Sequence, residues 1–312
     1  MSRCLVTGGA GFIGSHLVEG LLAAGHSVRV LDDFSSGNAA NLQGVRQRIE
    51  LISGSITDGA VVARAVAGCE LVFHLAALPS VTKSVEDPVL SHEICATGTV
   101  RVLDSARRAG VRRVVYAASS SAYGDQPGAL RSEDDQLIPL SPYAAAKLAG
   151  EHYCKCFTAS YPALEAVRLR FFNVFGPRQD AKSPYSGVIA LFISFMSRGQ
   201  TPTIFGDGLQ TRDFVYVANV VDALIRASTA PAANGNAYNI GNGDSITVLD
   251  LVRHLNDLLG TKIQAKHGPA RAGDVRFSAA DISRARRDLG YDPQVSFVEG
   301  LRRTLAWYKS LA

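Results

Sequence analysis

The stretch that most constrains this chain is Thr7-Gly8-Gly9-Ala10-Gly11-Phe12-Ile13-Gly14, directly after the short apolar run Leu5–Thr7. A strand that turns straight into a helix needs Gly8 for the tight turn and Gly11 so that another group can approach the backbone. Gly14 lets the helix pack closely on a sheet. The N–H groups that open such a helix suit a pyrophosphate. Asp32 follows about 20 positions on, at the end of a second apolar run, and this context of strand, turn, helix and acid points to a dinucleotide. Asp32 can accept from both hydroxyls of an adenosine ribose and would repel a 2′-phosphate, so NAD is expected over NADP. Asp33, next door, reads as a turn residue and is counted with the cofactor-binding set.

The first half keeps one rhythm. Runs at Val28–Leu31, Ile49–Ser53, Leu71–Leu75 and Arg113–Ala118 alternate with helical patterns such as Gly14–Ala24, where Leu17, Val18, Leu21 and Leu22 form one stripe and Gly25 is the stop. Near-continuous apolar strands separated by helices predict a parallel sheet covered on both faces. A ligand then belongs outside the carboxyl ends of the strands. After about residue 172 the rhythm changes, and Gly176-Pro177, Gly206-Asp207-Gly208 and Gly241-Asn242-Gly243 punctuate shorter elements. The expected organisation is a dinucleotide-binding domain over 1–172 and a smaller domain over 173–312, with elements crossing the boundary.

Composition narrows the function classes. With 312 residues, 47% of them hydrophobic, a sizeable core is within reach. The formal charge of +4 is mild and scattered, which suits an anionic small molecule and argues against nucleic acid. No apolar run approaches the ~18 residues of a membrane span. The N-terminal apolar stretch is too short for a signal-peptide core, so a cytoplasmic protein is expected. The 5 cysteines form no disulfide framework, and the odd count fits a reducing compartment. Cys154 and Cys156 lack a second pair at zinc spacing, so no metal is expected.

Tyr143 and Lys147 stand i, i+4 and share one helix face. A free phenol titrates near ~10, a poor base at neutral pH. A neighbouring ammonium and a positive nicotinamide ring both favour the phenolate, and proton abstraction from an alcohol becomes feasible. Ser119-Ser120-Ser121 lies just past the run Arg113–Ala118, at the end where ligands belong.

The glycine spacing, His74-Leu75-Ala76-Ala77, Ala118-Ser119-Ser120-Ser121-Ala122-Tyr123-Gly124 and Tyr143-Ala144-Ala145-Ala146-Lys147 together resemble the extended short-chain dehydrogenase/reductase superfamily. The resemblance implies a Rossmann-type, doubly wound parallel sheet with a smaller C-terminal substrate-binding α/β domain. It implies Tyr143 as the catalytic base, Lys147 on the nicotinamide ribose and Ser119 as the catalytic hydroxyl. The cofactor contacts that it implies are Gly8, Gly11, Phe12, Ile13, Gly14, Asp32, Asp33, Ser36, Gly37, Ser55, Ile56, Leu75, Ala76 and Ala77, beside Tyr143 and Lys147. Related dehydratases place Asp-Glu after the catalytic Thr, and decarboxylases a Glu. Ser120 and Ser121 can do neither job well, which leaves redox at one carbon.

From Arg170 to Gln179 the chain looks like the substrate loop of the UDP-sugar 4-epimerases. Thr211-Arg212-Asp213-Phe214 after Gly206-Asp207-Gly208, and Arg271-Ala272-Gly273-Asp274, are similar to their diphosphate and uridine segments. The likeness implies substrate contacts at Ser80, Ser119, Ser120, Tyr143, Asn173, Gln179, Val188, Arg212, Arg271, Asp274 and Ser278. Arg212 and Arg271 would clamp the diphosphate, for which a guanidinium is well shaped. Two positions depart from the family: Ser55 stands where an acid usually meets the adenine, and Lys83 where relatives carry Arg.

The likeness also implies a homodimer through helices around Pro88–Ala109 and Ser141–Tyr161. Val89, Leu90, Ile94, Val100, Val102 and Leu103 are candidates for the shared surface, unless that helix is apolar because it packs on its own sheet. The implied activity is NAD-dependent epimerisation at C4 of a UDP-hexose. The residue four places after the Asp of Arg-x-Gly-Asp lines the family's C2 pocket, and here it is Ser278. A small side chain leaves room for an N-acetyl group, so UDP-N-acetylglucosamine/UDP-N-acetylgalactosamine is the expected pair, with UDP-glucose/UDP-galactose also accepted. The competing reading of Ser278 is a helix N-cap near Asp281. The competing functions are a UDP-glucuronate 4-epimerase, another sugar-nucleotide oxidoreductase on this scaffold, and a non-enzymatic NAD sensor.

Overall fold

In the computed structural model, which describes residues 1–180, 187–270 and 275–311, each apolar run of the first half becomes a strand. These are β1 (Arg3–Thr7), β2 (Ser27–Asp32), β3 (Ile49–Ser53), β4 (Leu71–His74) and β5 (Arg113–Ser119), joined by β6 (Glu165–Phe171) and β7 (Ala237–Ile240). They form one sheet in the order β7-β6-β5-β4-β1-β2-β3, with every pairing parallel. Cys4, Leu5, Val6 and Thr7 are each 0% exposed, as a strand covered on both faces requires. Leu17, Val18 and Leu21 of α1 (Phe12–Ala23) fill one face of the sheet, and Val62 of α2 (Gly59–Val66) packs on the other. The strand order reverses between β1 and β4, which opens a crevice at their carboxyl ends.

α1 begins two residues before the apolar stripe suggests. Gly11 takes an extended backbone, and its carbonyl already accepts the Ser15 N–H. On the far side, the helix Pro88–His92, a π turn at Glu93–Thr97 and α3 (Gly98–Arg108) run on end to end. Val102 and Leu103 of α3 are fully buried against the sheet. The expectation that they supply a surface between subunits is therefore corrected: their apolar character serves the chain's own core. Val89 and Leu90 are exposed, and Ile94 and Val100 are half-buried.

α4 (Pro142–Ser160) starts cleanly. The Ser141 hydroxyl accepts the Ala144 N–H, and Pro142 takes the first turn, where no N–H is needed. The two halves interleave. β7 extends the sheet from after residue 172, and α5 (Val217–Ala227) lies against α1 so closely that a Cβ on Gly20 would sit 2.8 Å from Val221. Other second-half elements gather their own core around Phe175, Ile193, Leu251 and Leu301, while Ala280, Ala285 and Leu289 join the core of the main sheet. One short parallel pair, 130–131 with 279–280, ties the halves, while 173–175 with 214–216 and 211–212 with 246–247 pair within the second. No helix among the described residues is long and apolar enough to cross a membrane.

Candidate active site

The glycine turn is shaped by what it excludes. Gly8 has φ +69°, and a Cβ there would sit 2.8 Å from the Ala76 nitrogen. A Cβ on Gly14 would collide with the Gly8 carbonyl oxygen. Gly11 differs: its Cβ would meet only the Gly8 oxygen, at 3.1 Å, and otherwise open space. α1 has neither a side-chain N-cap nor an acid in its first turn, so its positive end, opened by Phe12, Ile13 and Gly14, faces that space uncompensated. Asp32 braces the turn, accepting the Ala10 N–H through Oδ2 (2.8 Å) and the Phe34 N–H through Oδ1 (2.9 Å). Burial pushes its carboxyl up while these two bonds hold it down.

The rest of the expected cofactor set is mixed. Asp33 is exposed and accepts from the Ser35 amide and hydroxyl, the geometry of a turn. Ser36 is exposed, and a Cβ on Gly37 would sit 2.7 Å from Asp32 Oδ1. Ser55 bonds Thr57, and Asp58 caps α2. The Ile56 side chain lies in the core beneath Gly98, so its backbone is what remains for a ligand.

Leu75 and Ala76 donate their N–H groups to Thr7 Oγ1, with Ala77 next in line. Their anchor extends inward. Thr99 donates its hydroxyl to the Cys95 carbonyl (2.7 Å), so it accepts from His74 Nε2 (3.0 Å). His74 Nδ1 then accepts the Thr7 hydroxyl (2.8 Å). Burial pushes His74 down to about 3, and a neutral ring fits this assignment.

Tyr143 faces Ser119 at the carboxyl end of β5. Burial pushes the phenol up, Cys95 adds to this, and a hydrogen bond with Ser119 pulls it back. Lys147 Nζ lies 4.3 Å from the centre of the Tyr116 ring. Lys147 is itself buried, which pushes its ammonium down, with Cys95, Cys154 and Glu151 opposing. Ser119 Oγ accepts the Ser121 N–H (3.2 Å) and bonds the Ser121 hydroxyl (2.8 Å); Ser120 is half-buried between them.

The substrate-side residues converge on Asp213, which is 0% exposed. Its carboxylate accepts N–H groups from Asn242 (2.7 Å), Gly243 (3.1 Å) and Ala280 (3.2 Å). Its backbone N–H donates to the Ser278 carbonyl (2.7 Å), and its own carbonyl accepts from Asn173 Nδ2 (3.1 Å). Asn173, Arg212 and Ser278 are thereby gathered. Ser278 lies in extended chain leading into 279–280, so it caps no helix. Arg276, two residues earlier, grips Asp207 with both guanidinium nitrogens (2.8 and 2.9 Å). Gln179 donates to the Val174 carbonyl (3.3 Å), and its buried Oε1 has no protein partner among the described residues. Val188 opens the helix Val188–Met196, next to Gly187, whose Cβ would meet Gln179. Ser80 caps its helix by accepting the Lys83 N–H (3.1 Å). Arg271 and Asp274 lie outside the described residues.

Residues 4–241, which hold the glycine turn, Ser119, Tyr143 and Lys147, match the NAD dependent epimerase/dehydratase family. The chain belongs to this family. It is 42% identical to the UDP-glucose 4-epimerase of Mycolicibacterium smegmatis over 99% of both chains. The solved UDP-N-acetylglucosamine 4-epimerase of Methanobrevibacter ruminantium, in complex with UDP-N-acetylmuramic acid, superposes with a TM-score of 0.95 at 36% identity, covering 100% of this chain and 99% of that one. The UDP-glucose 4-epimerase of Thermus thermophilus, solved with NAD, gives 0.91 at 36% identity, covering 99% and 100%. The NAD cofactor and the isomerase class expected from the sequence both stand.

For this member of the epimerase/dehydratase family the residues present fit NAD. The space a Gly11 Cβ would fill lies at the positive end of α1. Asp32 spends only two of its roughly four acceptor positions on the backbone. Sequence reasoning missed the Thr7–His74–Thr99 chain and the Asp213 clip, although Thr7, His74 and Asp213 all stand inside motifs it singled out.

Proposed function

We propose that this chain is a UDP-sugar 4-epimerase working as a cytoplasmic homodimer, with UDP-N-acetylglucosamine and UDP-N-acetylgalactosamine as its preferred pair. The observation that carries the reading is Tyr143 facing Ser119 at the carboxyl end of β5, followed by Ser120 and Ser121 where elimination or decarboxylation would call for acids. Bound NAD supplies the hydride acceptor and donor. Tyr143 takes the proton of the sugar 4-hydroxyl, and Ser119 holds that oxygen. A phenol raised by burial returns the proton readily once the ketone is reduced from its other face. Because nothing is eliminated and the redox change is reversed within one turnover, no external reductant is consumed.

The sugar preference rests on Ser278, drawn beside Asn173 and Arg212 by Asp213. A Tyr there would add a ring where an acetamido group fits. Overpacking a tight site typically costs ~1–3 kcal/mol, enough for tenfold discrimination or more. Ser278→Tyr should collapse turnover of the N-acetylated sugars and spare UDP-glucose; equal loss on both would refute the assignment. The homodimer reading draws on the exposed Val81, Val85, Val89 and Leu90, and a monomeric mass by light scattering at micromolar concentration would end it.

A further inference from the structure

Beneath Tyr143 and Lys147, α4 carries a third residue on the same face. Glu151 follows at i+8, and its side chain is 2% exposed. It meets Arg170 of β6 through three close contacts, Nε to both carboxylate oxygens (3.1 Å each) and Nη2 to Oε2 (2.9 Å). Arg170 stands in register with Ala118, one residue before Ser119, and on its other side with Asn239 of β7. Its remaining nitrogen, Nη1, donates to the Tyr123 hydroxyl (2.9 Å) and to the Glu133 carbonyl (3.3 Å). Tyr123, which ends the turn that Ser119 begins, donates its hydroxyl to Asn239 Oδ1 (2.6 Å).

One guanidinium therefore ties the helix that bears Tyr143 to the turn that bears Ser119. A second contact brings the same helix down on β5: Gly150 nests against Tyr116, whose hydroxyl donates to the Lys147 carbonyl (3.2 Å). As cement, a buried ion pair is a poor choice, because apolar residues of the same volume often hold a fold as well or better. What a forked, charge-assisted contact supplies is orientation.

We propose that Glu151, Arg170 and Tyr123 are positioning residues that set the Tyr143–Ser119 contact across the gap between α4 and β5. The proposal rests on Tyr143 and Ser119 being the reacting pair. A double-mutant cycle on the full-length, NAD-loaded enzyme tests it, with kcat, KM and Tm measured for Tyr123→Phe and Glu151→Gln, each alone and combined with Ser119→Ala. Tyr123→Phe removes one oxygen and keeps its ring in the core, so it covers the case in which Glu151→Gln does not fold. Each single variant should lower kcat about tenfold with KM within a factor of two. In the Ser119→Ala background the same change should cost less than twofold in kcat, because the contact it sets is already gone. The loss in Tm should be equal in both backgrounds. Losses in kcat that multiply, a folded Tyr123→Phe with wild-type kcat, or failure of both variants to fold would overturn the proposal while leaving the reacting pair in place. A Ser119→Ala variant with wild-type kcat would overturn the reading of the pair, and the proposal with it.

Discussion

The two walls of the crevice are built differently. On the cofactor side, Thr7, His74, Asp32 and Lys147 are all buried, at or beside the carboxyl ends of long parallel strands, and three of the four are bonded to two or more partners. On the sugar side, Asn173, Arg212 and Ser278 are half-buried on strands of two or three residues or on extended chain. Asp213 holds them as a group. The proposed chemistry is thus embedded in the sheet, while on the sugar side the Asp213 backbone holds Asn173 and Ser278 and its carboxylate holds the Asn242, Gly243 and Ala280 segments. On the proposed reading, this division predicts that the sugar wall can change without disturbing proton and hydride transfer.

The sharpest way to break the comparison is at the embedded wall. Tyr143→Phe keeps the ring and removes the proton acceptor, so kcat should fall by roughly 10²–10⁴-fold with nucleotide affinity unchanged. Retention of more than about a tenth of wild-type kcat would show that the base lies elsewhere.

The next effect belongs to the clip itself. Burial pushes the Asp213 carboxyl from 3.8 up to about 6, although three N–H groups pull it down. The folded chain therefore holds this proton more tightly than the unfolded chain. Its contribution to stability is complete below pH 3.8 and is lost as pH rises through about 6. The gap is about two units at ~1.36 kcal/mol each, on the order of 3 kcal/mol. Asp213→Asn has no such proton. The stability of wild type relative to this variant should therefore drop by roughly 2 kcal/mol between pH 4 and 7, read by denaturant unfolding. A difference that stays flat across that range would mean the carboxyl titrates normally.

A smaller effect sharpens the contrast. At neutral pH, Asp213→Asn presents an amide N–H to at least one of the three donors now bonded, which loosens the Asn242, Gly243 and Ala280 segments together. KM for the UDP-sugar should rise about tenfold, with NAD affinity unaltered. Equal weakening of both ligands would deny that the walls are independent.

The same division explains what was legible beforehand. The glycine turn, Asp32 and the Tyr143/Lys147 pair are local patterns, a strand–turn–helix and an i, i+4 spacing, so the sequence displays them directly. Val102 and Leu103 misled because an apolar stripe looks the same whether it packs on its own sheet or on a partner. The His74 chain, the Asp213 clip and the Arg170 hub were invisible for a different reason. Each joins residues far apart in the sequence, and the side chains that bond them have no periodicity. The i, i+4 spacing of Tyr143 and Lys147 sets a shared face and leaves open where the ammonium points, which in the folded chain is over the Tyr116 ring.

The central claim, redox at one carbon reversed within each turnover, has one direct test. The purified protein is incubated with UDP-N-acetylglucosamine and no added reductant, while NMR follows the sugar and absorbance at 340 nm follows net NADH. The account expects UDP-N-acetylgalactosamine to appear and reach equilibrium, with carbon count and C6 oxidation state unchanged and no steady drift at 340 nm. Steady accumulation of NADH, loss of a carboxyl carbon or a 6-deoxy product would contradict it.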